Sequence, residues 1–282
     1  MERGLMEMIA VNGNKVEFTE FPNGELNLNH KSIDVLANSD SATNVGFKFE
    51  NNTDLIKLMF VKRYLDQLKI KTTSLSISYM PYSRMDRSEN GSPFTLKYVA
   101  QFINELGFSE IEVYEPHSDV TTALLNRVQP NFINFNLINL VKRIVRFDEN
   151  KDYLMFPDAG ASKRYSRMKA KNVLVGHKHR DFETGEIKGL ELVGDISGAN
   201  GRQVIIVDDL SSRGGTFVHS SKKLREHGFS NVFLLVAHAE NTIFKGELFN
   251  HIDTVFTTDS ILTEQNNWEN KKYESKLKVY NI

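Results

Sequence analysis

Val204-Ile205-Ile206-Val207-Asp208-Asp209-Leu210-Ser211-Ser212-Arg213-Gly214-Gly215-Thr216 is the stretch that decides the fold. Four consecutive β-branched residues with no polar alternation describe a strand buried on both faces, as in the parallel sheet of an α/β protein. Asp208 and Asp209 stand at its C-terminal end, and a loop of small residues then opens a helix from about Thr216 to His227, which stops at Gly228. Open α/β sheets bind ligands at this edge. Gly214 and Gly215 permit positive φ, so backbone N–H groups converge on a phosphate at the helix N-terminus, with the hydroxyls of Ser211, Ser212 and Thr216 as further donors. Two carboxylates accept hydroxyl hydrogen bonds or hold a hard cation. A vicinal diol beside a phosphate describes a ribose phosphate.

Outward from this stretch, short β-rich runs alternate with helical ones, the grammar of α/β architecture. In the first half, Ser74 to Met80 reads as a strand ending at Pro81. A helix with Leu55, Leu58, Val61 and Leu65 near one face precedes it, and Ser92-Pro93 opens another that Gly107 closes before the strand Ile111 to Tyr114. In the second half, Tyr153 to Phe156, Val173 to Val175 and Val232 to Val236 read as strands. Tyr-Ser-Arg-Met occurs at Tyr82 and again at Tyr165, a faint hint of duplication. The strand signal lapses between Asn139 and Asn150, which places a boundary between domains 1–140 and 141–282.

Composition narrows the class further. The 282 residues carry 35 Lys and Arg against 36 Asp and Glu, a net charge of −1, which argues against a nucleic-acid-coating protein. No cysteine is present, which excludes disulfides, thiolate metal sites and a thiol nucleophile. The first residues show no signal-peptide pattern and no window holds some eighteen apolar residues, so a cytoplasmic protein without membrane or nucleic-acid partners is expected.

The Asp-Asp loop resembles the ribose-phosphate signature of the phosphoribosyltransferase fold, and its neighbours narrow the resemblance to the ribose-phosphate pyrophosphokinases, which make phosphoribosyl pyrophosphate. In order along the chain stand Phe21-Pro22-Asn23-Gly24-Glu25, Asn52 to Leu58, Pro81 to Arg87, Glu115-Pro116-His117, Phe156-Pro157-Asp158-Ala159-Gly160, Lys178-His179-Arg180 and Thr257 to Ile261. The resemblance implies two similar phosphoribosyltransferase-type domains, each a mainly parallel sheet flanked by helices. It implies an ATP-dependent diphosphotransferase moving the β,γ-diphosphate of Mg-ATP to the anomeric hydroxyl of ribose 5-phosphate, with AMP as the other product.

Residue by residue, Lys178 and Arg180 match the family's flexible catalytic loop; from Ala159 to Arg180 there are seven Lys and Arg and no acid, and Glu183 to Glu186 reads as mobile. Phe21, Asn23, Glu25, Arg84, Asp86, Arg87 and His117 match the ATP site, which in the family a neighbouring subunit completes, so a dimer or hexamer is implied. His117 and Asp158 match the Mg²⁺ ligands. Asp208, Asp209, Ser211, Ser212, Arg213, Gly214, Gly215 and Thr216 match the ribose-phosphate site. The bland readings are an exposed helix face for Lys163, Lys169 and Lys171, and structural roles for His177, His179, His219 and His238.

Four departures from the pattern bear on function. The opening strand-helix and closing helix of longer relatives are shortened, the Pro81 to Arg87 loop is shorter with Met85 for Gln, and Arg213 breaks the usual Asp-Thr-Gly-Gly-Thr loop. A long guanidinium at Arg213 suits a larger 5-substituent, so ADP-ribose, which some relatives pyrophosphorylate, is an alternative acceptor. A catalytically silent regulatory subunit is the alternative of another class; it predicts lost loop cations, yet Lys178 and Arg180 are present. A single-domain phosphoribosyltransferase would not need the ordered first-half motifs. Finally, the family's regulatory ADP site uses N-terminal parts shortened here. ADP titration is therefore expected to show inhibition that excess ATP relieves; strong inhibition that ATP leaves unrelieved contradicts this.

Overall fold

The computed structural model describes residues 9–35, 42–89, 91–180, 187–262 and 274–282, with the backbone alone at 178–180, 187–188 and 274. The chain divides into two compact units, Met1–Phe132 with Asn281–Ile282, and Ile133–Tyr280.

The first unit starts with a hairpin of β1 (Ile9–Val11) and β2 (Asn14–Lys15), then a separate one of β3 (Phe18–Glu20) and β4 (Leu26–Leu28), and a short α1 (Lys31–Asp34). Four parallel strands follow: β5 (Thr43–Phe47), β6 (Thr73–Ile77), β7 (Glu110–Tyr114) and β8 (Val128–Asn131). Helices α2 (Thr53–Gln67), α3 (Thr95–Leu106) and α4 (Asp119–Leu124) form the crossovers, and the sheet runs β2-β1-β5-β6-β7-β8. The expected stripes face inward: Leu58, Val61, Leu65, Leu96 and Ile103 pack with Val45, Phe47, Leu75, Ile77 and Val113. Helix α3 starts at Thr95, later than the Ser92-Pro93 reading, because Ser92 Oγ donates back to Glu89 O (2.7 Å) and closes a turn of its own. Gly107 ends the helix at φ +75°, a conformation that carries no steric cost in glycine.

The second unit opens with α5 (Asn134–Ile144), across the stretch read as a boundary. The helix belongs here, and the division falls ahead of the expected 140/141, because Ile138 and Val141 bury with Phe156, Tyr165 and Ile205. Its polar face had masked that inward pair. Then come β9 (Tyr153–Phe156), α6 (Ala159–Arg164), β10 (Asn172–Arg180), β11 (Ile187–Val193), β12 (Gln203–Ser211), α7 (Gly215–Glu226), β13 (Asn231–Ala239), α8 (Leu248–His251), β14 (Thr254–Thr258) and β15 (Leu277–Tyr280). The sheet runs β11-β10-β9-β12-β13-β14-β15, parallel except for the β10–β11 hairpin.

Strand β12 shows why its sequence lacks alternation. Val204 and Ile206 bury against Phe217, Val218 and Leu224 of α7, while Ile205 and Val207 bury on the opposite face with Tyr165 and the α5 side chains. The repeated Tyr-Ser-Arg-Met is no structural repeat: Tyr82 lies in a loop after β6, whereas Tyr165 is a fully buried core residue. Among the described residues no helix is long and apolar enough to cross a membrane. Truncating Leu234, which is fully buried in β13 between β12 and β14, to alanine is expected to cost about 2–5 kcal/mol in urea unfolding, from lost apolar transfer plus a cavity.

Candidate functional site

In the second unit β9 has β10 on one side and β12 on the other, so the crossovers leave in opposite directions at the C-terminal ends of β9 and β12. Such a switch point opens a crevice that no crossover covers. Asp158 follows β9 after Pro157, and its Oδ1 caps α6 by accepting from Ala161 N (3.0 Å). Asp208 and Asp209 belong to β12 itself, since the ladder with β13 continues through Asp208↔Val236 and Leu210↔His238.

The two-residue period of a strand sends the two carboxylates off from opposite sides. Asp208 follows Val204 and Ile206, and Asp209 follows Ile205 and Val207. Asp209, 4 % exposed, meets the Arg164 guanidinium of α6, Nη1 to Oδ1 3.0 Å. Asp208 is only partly covered, and its Oδ1 accepts the N–H of Asp209 (2.9 Å). Burial, the charge of Asp209, a hydrogen bond between the two side chains, which reach each other although they start from opposite sides, and lastly the charge of Asp158 push the Asp208 carboxyl well above the usual carboxylate range. Burial pulls against the charge on Arg164, but Asp209 and Asp208 more than offset it and hold the guanidinium protonated. Asn134, fully buried, ties the backbone here to α5 by donating to the Asp208 carbonyl and to Tyr165 Oη, both at 2.9 Å.

The following loop is braced by the segment after β13. Ser212 Oγ and Thr242 Oγ1 are hydrogen-bonded at 3.0 Å, and Thr242 in turn donates to Glu240 Oε2 (3.0 Å). Gly214 sits at φ +79° against Leu248, where a β-carbon would come within 2.9 Å of the leucine. Gly246 is held as closely, since a β-carbon there would lie 2.3 Å from Arg213 O. Of the expected ligand side chains, Ser211 is buried and donates to Ser212 O (3.3 Å), Thr216 is partly exposed, and Arg213 is exposed. Gly214 caps α7, which begins at Gly215; Phe217 N and Val218 N both donate to Gly214 O (3.0 Å), and the earlier N–H groups of the first turn favour an anion.

Lys178 and Arg180 lie in β10, not in a loop. Their backbones pair with Leu190 and Ile187 of β11, so the expected catalytic segment is one arm of a hairpin, and Glu183 to Glu186 fall outside the described residues.

In the first unit, Arg84, Asp86 and Arg87 follow β6 and His117 follows β7, whereas Phe21, Asn23 and Glu25 lie on the separate β3–β4 hairpin. Tyr82 (φ +61°) and Glu115 (φ +39°) adopt left-handed backbone conformations just beyond β6 and β7, a strain that persists where surrounding structure enforces it. The Tyr82 hydroxyl bonds Asn52 Oδ1. Asp86, 5 % exposed, accepts from Arg87 Nε at 2.8 Å. Burial raises its pKa, but the hydrogen bonds from Arg87 and Ser118 and the positive charges of Arg87 and His117 together bring it below the usual carboxylate range. Arg84 and Arg87 are exposed. Phe21 to Glu25 form the tip of the β3–β4 hairpin, closed by Phe21 N to Glu25 O and Gly24 N to Phe21 O, both 2.8 Å. The Phe21 ring there is 53 % exposed, and Asn23 and Glu25 are exposed too.

Metal ligation was expected of His117 and Asp158, which fall in different units, and no cluster of three or more His, Cys, Asp or Glu suited to a metal ion occurs among the described residues. Cation-friendly chemistry is nonetheless present: Asp158 and Asp209 both repel the charge of Asp208, and a divalent ion relieves such repulsion. Two residues escaped the sequence reading, Arg164 and Thr242. Arg164 was counted within the basic run, and its position six residues beyond Asp158 was the available signal.

No family model matches the chain. A ribose-phosphate pyrophosphokinase of Pyrococcus abyssi is 27 % identical over 273 residues, covering 92 % of this chain and 90 % of the relative. One from Mycoplasmopsis pulmonis is 28 % identical over 278 residues, covering 95 % and 82 %. The chain is a relative of the ribose-phosphate pyrophosphokinases. The crystal structure of phosphoribosylpyrophosphate synthetase from Mycobacterium smegmatis superposes with a TM-score of 0.72 at 20 % identity, covering 95 % of this chain and 86 % of the other, and so shares the fold. The similarity to these pyrophosphokinases takes in both units, as the ordered motifs require.

A raised carboxyl has a measurable consequence. The folded state holds the Asp208 proton more tightly than the unfolded chain, so stability is lost as pH rises from about 3.9 toward the folded-state value. Asp208→Asn is therefore expected to melt higher than the parent at pH 7 in EDTA, with the gap narrowing toward pH 4, read by scanning calorimetry across that range.

Proposed function

We propose that the protein is an ATP-dependent ribose-phosphate diphosphokinase that converts ATP and ribose 5-phosphate to phosphoribosyl pyrophosphate and AMP. The observation that carries this reading is the Asp208–Asp209 pair at the open switch point, followed at once by a left-handed Gly214 and the N-terminus of α7. Asp208 accepts hydrogen bonds from the sugar 2- and 3-hydroxyls, while the α7 N-terminus with Thr216 and Arg213 takes the 5-phosphate.

The anomeric oxygen attacks the β-phosphorus of ATP, the bond from that phosphorus to the α,β-bridging oxygen breaks, and AMP departs with the bridging oxygen. The hydroxyl proton passes to solvent. Lys178 and Arg180 meet the charge that grows on the transferring group and on AMP, and little else is asked of the protein beyond in-line positioning. Arg84, Arg87, His117 and the hairpin tip at Phe21, Asn23 and Glu25 hold the nucleotide, with Phe21 as an aromatic surface for the base. This site is completed across a homo-oligomer, which accounts for an aromatic ring left exposed at a hairpin tip. Mg²⁺ would supply charge neutralisation on the polyphosphate, His117 being the ligand that the first unit offers it and Asp158 the one that the second unit offers.

A second reading, favoured by the exposed Arg213, is the same transfer to ADP-ribose. A guanidinium at the loop's outer edge suits a diphosphate ester better than a compact phosphate dianion needs.

Incubation with Mg-ATP and either acceptor, followed by chromatography for AMP, is expected to show AMP with one of them; none with either overturns the proposal. Lys178→Ala is expected to reduce turnover by about 10²-fold or more with ATP binding by calorimetry nearly unchanged; full activity removes Lys178 from the catalytic role. If Arg213 selects the larger acceptor, Arg213→Thr shifts the ratio of kcat/KM values toward ribose 5-phosphate, and an unchanged ratio rejects the second reading.

A further inference from the structure

The two acids of β12 differ in their surroundings, although the motif treats them alike. Asp209 is almost wholly buried and pairs with Arg164, which is itself largely covered, with 16 % of its side chain exposed. Asp208 is partly open. Arg164 is the last residue of α6, the helix whose first residue follows Asp158, so one short helix links the loop after β9 to the acid pair of β12. Its guanidinium also lies over the Tyr165 ring, 5.9 Å from the centroid, at cation–π range, and Tyr165 Oη receives the Asn134 amide that also holds the Asp208 carbonyl.

We propose that Arg164 is a positioning residue for the acceptor sugar: by engaging Asp209 it removes that carboxylate from ligand duty and leaves Asp208 as the acid that meets the sugar hydroxyls. This revises the expectation that both acids bind ribose, and it rests on the acceptor site proposed above. An isolated buried carboxylate next to Asp208 would repel it and compete for the same hydrogen bonds. With Arg164 in place the charge of Asp209 is balanced by an ion pair at 3.0 Å and its oxygen is engaged, and the guanidinium does this without touching substrate. Lysine in its place keeps the charge but loses the planar fork that both pairs with a carboxylate and lies over tyrosine.

The inference requires three things of the variants Arg164→Met, Arg164→Lys, Asp209→Asn, Asp208→Asn and the double change Arg164→Met with Asp209→Asn. Acceptor affinity, read by calorimetry with ribose 5-phosphate and ADP-ribose, falls about tenfold or more in Arg164→Met, less in Arg164→Lys, and returns to within about threefold of the parent in the double variant, because removing both charges orphans neither. KM for the acceptor rises in Arg164→Met while KM for ATP stays within twofold. Asp208→Asn loses acceptor binding, whereas Asp209→Asn retains most of it. Losses that add in the double variant, an Asp209→Asn variant as impaired as Asp208→Asn, or an Arg164→Met variant with unchanged acceptor affinity overturn the inference. Should Arg164→Met fail to fold, Arg164→Lys and Asp209→Asn carry the same comparison. Parent protein that binds an acceptor without releasing AMP from ATP refutes the diphosphokinase reading while the binding comparison still decides the role of Arg164; parent protein that binds neither acceptor overturns both.

Discussion

Two adjacent carboxylates at the end of a buried parallel strand form an arrangement that water would ordinarily dismantle. Burial disfavours their charge and proximity disfavours it again, so the Asp208 carboxyl is held far above its usual range. Much of the second unit around β12 answers this constraint. Arg164 on α6 pairs with one acid, Asn134 on α5 fixes the backbone between them, and the other acid stands partly exposed where the strand order reverses. A hard cation or a set of sugar hydroxyls would balance such a pair.

The loop after β12 follows a different logic. It depends on backbone, and so on close approach. Gly214 and Gly246 leave no room for a β-carbon beside Leu248 and Arg213 O, and the Ser212–Thr242 hydrogen bond couples the loop to the next crossover. A loop fixed from both sides presents its N–H groups in one geometry, which is the preorganisation that anion binding rewards. In the first unit, order is concentrated in the same way at the strand ends, where Tyr82 and Glu115 accept left-handed backbone and Asp86 is kept charged by Arg87.

Much of the architecture was legible from periodicity. The unbroken Val204 to Val207 run announced a two-face strand because both faces are covered by helices, and the stripes of α2 and α3 announced their buried sides. Reading failed where local signals were ambiguous. Helix α5 looked like a linker because its buried pair, Ile138 and Val141, is outnumbered by polar neighbours. Ser92-Pro93 imitated a helix start, while the hydroxyl was used to close a preceding turn. The arm bearing Lys178 and Arg180 was expected as a loop from the family resemblance, yet its backbone pairs along β11.

The sequence by itself determined the α/β class, the position of the acid pair and the phosphate loop, and the resemblance to pyrophosphokinases, because each rests on residues close together in the chain or on motifs in fixed order. Only the tertiary structure decided that the two acids are unequal. Arg164 stands 45 positions before Asp209, and nothing in local spacing distinguishes it from the other cations of its basic run. The parallel pairing of β9 with β12 brings α6 beside the acid pair, and burial then turns one arginine of a charged stretch into the counter-ion of Asp209 alone.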